Sequence, residues 1–140
     1  MKNHLLDILI IASMILLCWV LVANADEMLL DHAVIHHTAS HDVSSATIDQ
    51  WHKERGWDGI GYHYIIRKDG TIEEGRSLNK KGAHARGRNL WIGIALTGYE
   101  DFSVRQISSL RRLLKKLNVT VVERHHEECP GEGLDVESLL

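Results

Sequence analysis

The run SVRQISSLRRLLKKLNVTVVERHH, Ser103–His126, decides the fold class. Ser103 and Gln106 stand three residues apart, the spacing of a capping box in which each side chain satisfies the other residue's backbone N–H. Ile107, Leu110, Leu114 and Leu117 then recur at helical spacing, which predicts a helix with one apolar stripe laid over a sheet. Val119–Val122 is rich in β-branched residues that suit a pleated strand, and that strand would deliver Arg124, His125 and His126 at its exit.

Upstream, the same alternation continues. Ala33 to His37 reads as a short strand, because Val34 and Ile35 directly precede a change to polar residues, and it ends on the pair His36 and His37. Ser45 is placed to cap a helix reaching about Arg55, with Ile48 and Trp51 on one face and Gly56 as the stop. Tyr62–Ile66 and Thr71–Glu74 flank Lys68-Asp69-Gly70, a turn in which glycine supplies a positive φ, and together they read as a hairpin. Trp91–Leu96 reads as an interior strand. Strands alternating with helices favour an α/β sandwich.

Composition narrows the setting. The chain has 140 residues, and setting aside an apolar N-terminus leaves enough for one compact domain, Asp26–Leu140, and one active site. A formal net charge of −3 provides no broad basic surface, so nucleic acid is not expected as a partner. Lys2 is followed by an uncharged run from Ile8 to Ala23, which reads as an export or membrane segment spanning residues 1–25. Ala23-Asn24-Ala25 before Asp26 fits a signal-peptidase site, while the length of the run approaches the roughly 20 residues that cross a bilayer. Cleaved signal and retained anchor both engage the membrane or export machinery, and both put the domain outside the cytoplasm: at the periplasmic face of the inner membrane, in the periplasm, or secreted.

Only two cysteines are present, and Cys18 lies within the apolar run, so Cys129 has no partner for an intradomain disulfide. A lone thiol in an oxidising compartment is either an inert buried residue or a metal ligand. His36 at one strand end, His125 after another and Cys129 four residues further on form a His, His, Cys set. Zn²⁺ favours these donors, and catalytic zinc sites use three protein ligands with a fourth position open to water. The spacing alone is a weak signal, because the chain holds 10 histidines. Among the others, His32, His41 and His52 are expected to face solvent and His63 the core, none of them on metal.

The order of motifs carries more. Val34-Ile-His-His-Thr-Ala-Ser40, Trp51-His-Lys-Glu-Arg-Gly-Trp57, Gly61-Tyr-His-Tyr-Ile-Ile66, Lys68-Asp-Gly-Thr71, Gly82-Ala-His84, Ile92-Gly-Ile94, His125-His-Glu127 and Cys129-Pro-Gly131 resemble the type 2 amidase family, which includes short phage lysozymes with amidase activity and the peptidoglycan recognition proteins. The resemblance covers about Val34 to Asp135 and implies a single α/β domain with a central mixed β-sheet flanked by helices. It further implies a zinc amidase of peptidoglycan that cuts between N-acetylmuramic acid and L-alanine. Within it, His36, His125 and Cys129 match the zinc ligands, Tyr62 the tyrosine beside the metal, and His84 a cleft position close to substrate. A monomer is expected.

Two departures stand out. Related phage amidases carry a catalytic lysine between the His-x-Glu motif and the cysteine, where this chain has only Glu127 and Glu128 before Cys129. Some relatives also have a glutamate in the strand represented here by Ile92–Leu96, where Ala95 stands. The alternative function on the same fold is a peptidoglycan-binding module that does not cut. Binding members of the family typically lose the cysteine ligand, so Cys129 favours the enzyme. Phage lysis, as an endolysin, and bacterial wall remodelling remain equally open.

Overall fold

The computed structural model describes residues 4–23 and 27–140. An N-terminal helix α1, His4–Ala23, precedes the α/β unit, whose elements are β1 (Leu29–His37), α2 (Ser45–Glu54), β2 (Tyr64–Ile66), β3 (Ile72–Glu74), β4 (Trp91–Leu96), α3 (Val104–Lys116) and β5 (Val121–Arg124). The five strands form one mixed sheet in the order β3-β2-β4-β1-β5. β1 runs parallel to both β4 and β5, β2 runs parallel to β4, and only the β2–β3 hairpin is antiparallel.

Ala33–Ile35 of β1 and Ile92–Leu96 of β4, in the middle of the sheet, read as apolar runs because both of their faces are covered. Strand alternation divides their side chains. Ala33, Ile35, Ile92, Ile94 and Leu96 join Leu110, Leu113 and Leu114 of α3, and the C-terminal Leu134, Val136 and Leu139, in the larger core. Ala95 and Ile65 point the other way and pack with Val43, Ile48 and Ile60, against which Trp51 and Tyr62 also lie. Each fully buried Leu or Ile contributes about 1.5–3 kcal/mol, so the α3 face supplies most of the apolar stabilisation.

Helix α3 begins as its sequence requires. Gln106 N–H donates to Ser103 Oγ at 3.0 Å, and Ser103 N–H donates to Gln106 Oε1 at 3.0 Å. The buried Gln106 amide also donates to the carbonyls of Ile66 (3.1 Å) and Thr97 (2.8 Å), which ties the cap to the ends of β2 and β4. Helix α2 differs from expectation by one residue: Ser44 is the cap, accepting from Thr47 N–H at 3.2 Å. The Ser45 N–H is instead taken by Glu73 Oε2 at 2.6 Å, an anion at a helix N-terminus where the dipole favours one. Gly56, at φ +85°, ends this helix as anticipated.

The hairpin ladder is shorter than its sequence suggests. Tyr62 and His63 lie before the regular strand, although their carbonyls still accept from Arg76 N–H (2.8 Å) and Gly75 N–H (2.9 Å). Gly70 takes φ +87° in the connecting turn. His52, expected at the surface, is buried, because its Nδ1 accepts from Gly61 N–H at 3.0 Å and its ring packs 4.6 Å from that of Trp57.

On α1, the described side chains Ile8–Ile11 and Met14–Leu16 are exposed. Among the described residues no helix is long and apolar enough to cross a membrane. The junction after Ala25, where cleavage is expected, lies outside the described residues.

Gln106→Leu removes the amide that serves two buried carbonyls and half of the capping box. It is expected to destabilise the domain by about 1–3 kcal/mol, measured as a lowered denaturant midpoint at unchanged slope.

Candidate metal centre

The site gathers at the carboxyl ends of the parallel strands, where open α/β sheets bind ligands. His36 is the penultimate residue of β1, and its place in the alternation turns it onto the α2 face, away from Ile35. His125 follows β5 directly, with its N–H donating to Ile35 O at 3.1 Å, so it enters beside His36. Cys129 returns through a tight turn in which His126 and Cys129 exchange backbone hydrogen bonds of 3.1 and 3.0 Å. The shortened segment is therefore long enough to bring the thiol back under the histidines.

The ligand atoms of His36, His125 and Cys129 all lie within 4.8 Å of one another, and Cys129 Sγ is 3.9 Å from His36 Nδ1. Tetrahedral zinc with bond lengths of 2.0–2.3 Å holds its donors roughly 3.5 Å apart, so modest closure would accommodate an ion. The donor chemistry also fits: two imidazoles and one thiol leave a fourth position for water.

Electrostatics keep the imidazoles neutral. Burial, then His84 and His125, hold His36 down to about 2. His125 is lowered by burial, then by His126 and Arg88. A neutral imidazole keeps the lone pair that a metal needs. Burial raises the Cys129 thiol, while the His37 N–H, 3.4 Å from the sulfur, acts in the opposite sense.

Tyr62 lies on the other side of His36, with ring centroids 5.1 Å apart. Burial, then the neighbouring Cys129, push its phenol up to about 12, so near neutral pH it is a hydrogen-bond donor and not a base. His84 meets His36 edge-on, its Nδ1 3.0 Å from His36 Nε2. The segment that carries His84 also opens a cleft of about 560 Å³ lined by Trp57, Lys81, His84, Arg86, Asn89 and Leu90.

The structure thus brings together His36, His125, Cys129, Tyr62 and His84. Arg88 is the neighbour that sequence reading missed. Its guanidinium donates to the carbonyls of Arg124 (3.0 Å) and His125 (2.6 Å) and pairs with Glu123 at 2.8 Å, pinning the exit of β5. No local pattern marks such an arginine, because its acceptors are backbone groups more than 30 positions away.

Known proteins resemble this chain in sequence and in fold. A family profile described as N-acetylmuramoyl-L-alanine amidase matches residues 26–132. An endolysin of Klebsiella phage KP32 is 41% identical over 105 residues, covering 66% of this chain and 70% of its own length. Peptidoglycan-recognition protein SC1a of Drosophila melanogaster is 34% identical over 126 residues, covering 73% and 68% respectively. The solved structure of the N-acetylmuramoyl-L-alanine amidase LysC from Clostridium intestinale URNW superposes with a TM-score of 0.70 at 40% identity, covering 78% of this chain and 81% of that one. The chain belongs to the N-acetylmuramoyl-L-alanine amidase family.

Proposed function

We propose that this amidase is zinc-dependent, with His36, His125 and Cys129 as the ligands, and that it acts on peptidoglycan outside the cytoplasm. The observation that carries the reading is the convergence of two imidazoles and a thiol, drawn from two strand ends and a turn, beside the half-buried Tyr62 ring. When bound, the ion's contribution is a lowered pKa for coordinated water and a polarised scissile carbonyl.

The chain's own groups do the rest. Tyr62 donates its O–H to charge developing on the scissile carbonyl oxygen, in a setting where burial keeps the phenol protonated. Ala95, where some relatives carry a glutamate, is fully buried against the α2 cluster and brings no carboxylate to the site. The cleft beside His84 combines the Trp57 indole with Lys81 and Arg86, which suits a ligand bearing both apolar groups and carboxylates, as stem peptides do. Retention of the buried thiol supports hydrolysis over mere binding of the polymer.

The working unit is residues 26–140, and residues 1–25 serve as export signal or anchor. The uncharged run from Ile8 to Ala23 and the exposed apolar side chains of α1 support this assignment.

Digestion of purified peptidoglycan is expected to release stem peptides with a free L-alanine N-terminus and to leave the glycan uncut. A chelator should abolish this, and Cys129→Ser should lose both zinc and activity. Retention of polymer without peptide release would identify a binding module instead, and a Cys129→Ser variant with full zinc occupancy would remove Cys129 from the ligand set.

Tyr62→Phe is expected to lower turnover by about 10² to 10³ while zinc content and thermal midpoint stay near their starting values. An unchanged rate would leave Tyr62 as a packing residue.

N-terminal sequencing of protein recovered from membranes distinguishes anchor from signal. A start at Asp26 means cleavage, and a start at Met1 means retention.

A further inference from the structure

We propose that His84 is a positioning residue that fixes the tautomer and orientation of His36, so that the Nδ1 lone pair of His36 faces the metal position. The proposal rests on the metal reading above and adds to it a role for a residue that was expected only to approach substrate.

His84 Nε2 lies 3.1 Å from Trp91 O, and a carbonyl can only accept, so the His84 proton sits on Nε2. A neutral imidazole carries a single hydrogen, so with Nε2 donating to Trp91 O the Nδ1 of His84 is bare. That bare nitrogen is 3.0 Å from His36 Nε2, which must therefore carry the hydrogen. With its one hydrogen on Nε2, neutral His36 leaves Nδ1 unprotonated, and this is the atom 3.9 Å from Cys129 Sγ. One carbonyl at the start of β4 thus dictates, through two rings, which nitrogen of His36 is free. Second-shell partners of metal-bound histidines generally act this way, holding the ring and raising its basicity.

The ring has a slot shaped for it. A Cβ on Gly82 would lie 2.8 Å from His84 Nε2, and a Cβ on Gly93 would lie 2.7 Å from the same atom, so any side chain at either position would collide with the imidazole. Its backbone is held too, with Asn89 Oδ1 accepting from the N–H groups of His84 (2.8 Å) and Ala85 (2.9 Å). His63 supports the slot from beneath: it packs edge-on to His84 at 5.8 Å, and its Nδ1 accepts from Gly93 N–H at 2.9 Å. Both ring nitrogens of His84 are consumed inside the protein, so the ring has neither a donor nor a lone pair to offer substrate. Its presence at the cleft wall follows from its duty to His36.

The test uses the full chain and four proteins: the wild type, His84→Leu, His84→Asn and Gly93→Ala. Asparagine keeps an acceptor where Nδ1 stood, leucine does not, and Gly93→Ala evicts the ring without altering it. Zinc affinity is measured by competition with a chromophoric chelator, and the His36 tautomer by long-range ¹H–¹⁵N correlation of the zinc-free protein. His84→Leu and Gly93→Ala are expected to weaken zinc binding about 10- to 100-fold and to leave His36 a mixture of tautomers. His84→Asn should hold zinc within a few-fold of wild type and keep His36 in the Nε2–H form, a rescue that a purely structural role would not produce. Wild-type affinity in His84→Leu, or a wild-type His36 protonated on Nδ1, would overturn the proposal. A wild-type chain that binds no zinc would sink the metal reading alone, because the tautomer measurement needs no metal and still decides the His84 to His36 bond.

Discussion

Strand β1 is hydrogen-bonded along both edges, to β4 on one side and β5 on the other, and both pairings are parallel. This double pairing fixes its register. A slip of one residue would move His36 into the core occupied by Ile35 and bring Ile35 to the site, exchanging a buried isoleucine for an imidazole among leucines. The α3 face is closed over Ile35, Ile92, Ile94 and Leu110, which makes that slip prohibitive. The position of His36, the first of the proposed metal donors, is thus secured by apolar packing on the opposite side of the sheet. Because the neighbours are parallel, their carboxyl ends lie together, and His125 leaves β5 close to where His36 ends β1.

On this frame the segment from Gly82 to Trp91 works as a clamp. His84 reaches His36, Arg88 reaches the carbonyl of His125, and Asn89 holds the backbone between them. Two of the three proposed donors therefore touch the same loop, while the third returns through its own turn. The cluster contains several imidazoles in close contact, and burial drives those of His36 and His84 far below their ordinary range. A protonated ring here would face desolvation and the charge of Arg88 together. A divalent ion is the cation this arrangement suits, since neutral imidazoles and a thiol that can lose its proton stabilise it directly.

The two departures from the family pattern have different physical meanings. Ala95 is sealed in the sheet interior, against Ile48 and Ile65, so the space a longer side chain would claim is already filled. The short segment before Cys129 removes a lysine but does not disturb the geometry, because the reciprocal bonds between His126 and Cys129 close the turn in three steps. The departures leave no glutamate in β4 and no lysine in the short segment. The Tyr62 phenol, pushed up to about 12 by burial, can donate a hydrogen bond near neutral pH but cannot serve as a base there.

The amino-acid sequence by itself determined whatever is encoded within a few neighbouring residues. The capping box of Ser103 and Gln106, the boundaries of Trp91–Leu96, the glycine turn at Gly70 and the order of motifs all depend on local spacing, and the structure has them where the spacing requires. The proposed donors His36, His125 and Cys129 were singled out by strand ends and motif order, although their convergence within 4.8 Å was not a property of spacing. Tertiary structure decided what depends on partners from elsewhere in the chain. Glu73 takes the N–H of Ser45 and leaves the α2 cap to Ser44, Gly61 draws His52 inward, and Arg88 finds carbonyls across the sheet. His84 meets His36 across 48 positions, and Cys129 meets it across 93. A side chain's hydrogen-bond partner at such separations is chosen by which strands lie adjacent and which face each residue takes, and those are settled only when the sheet closes.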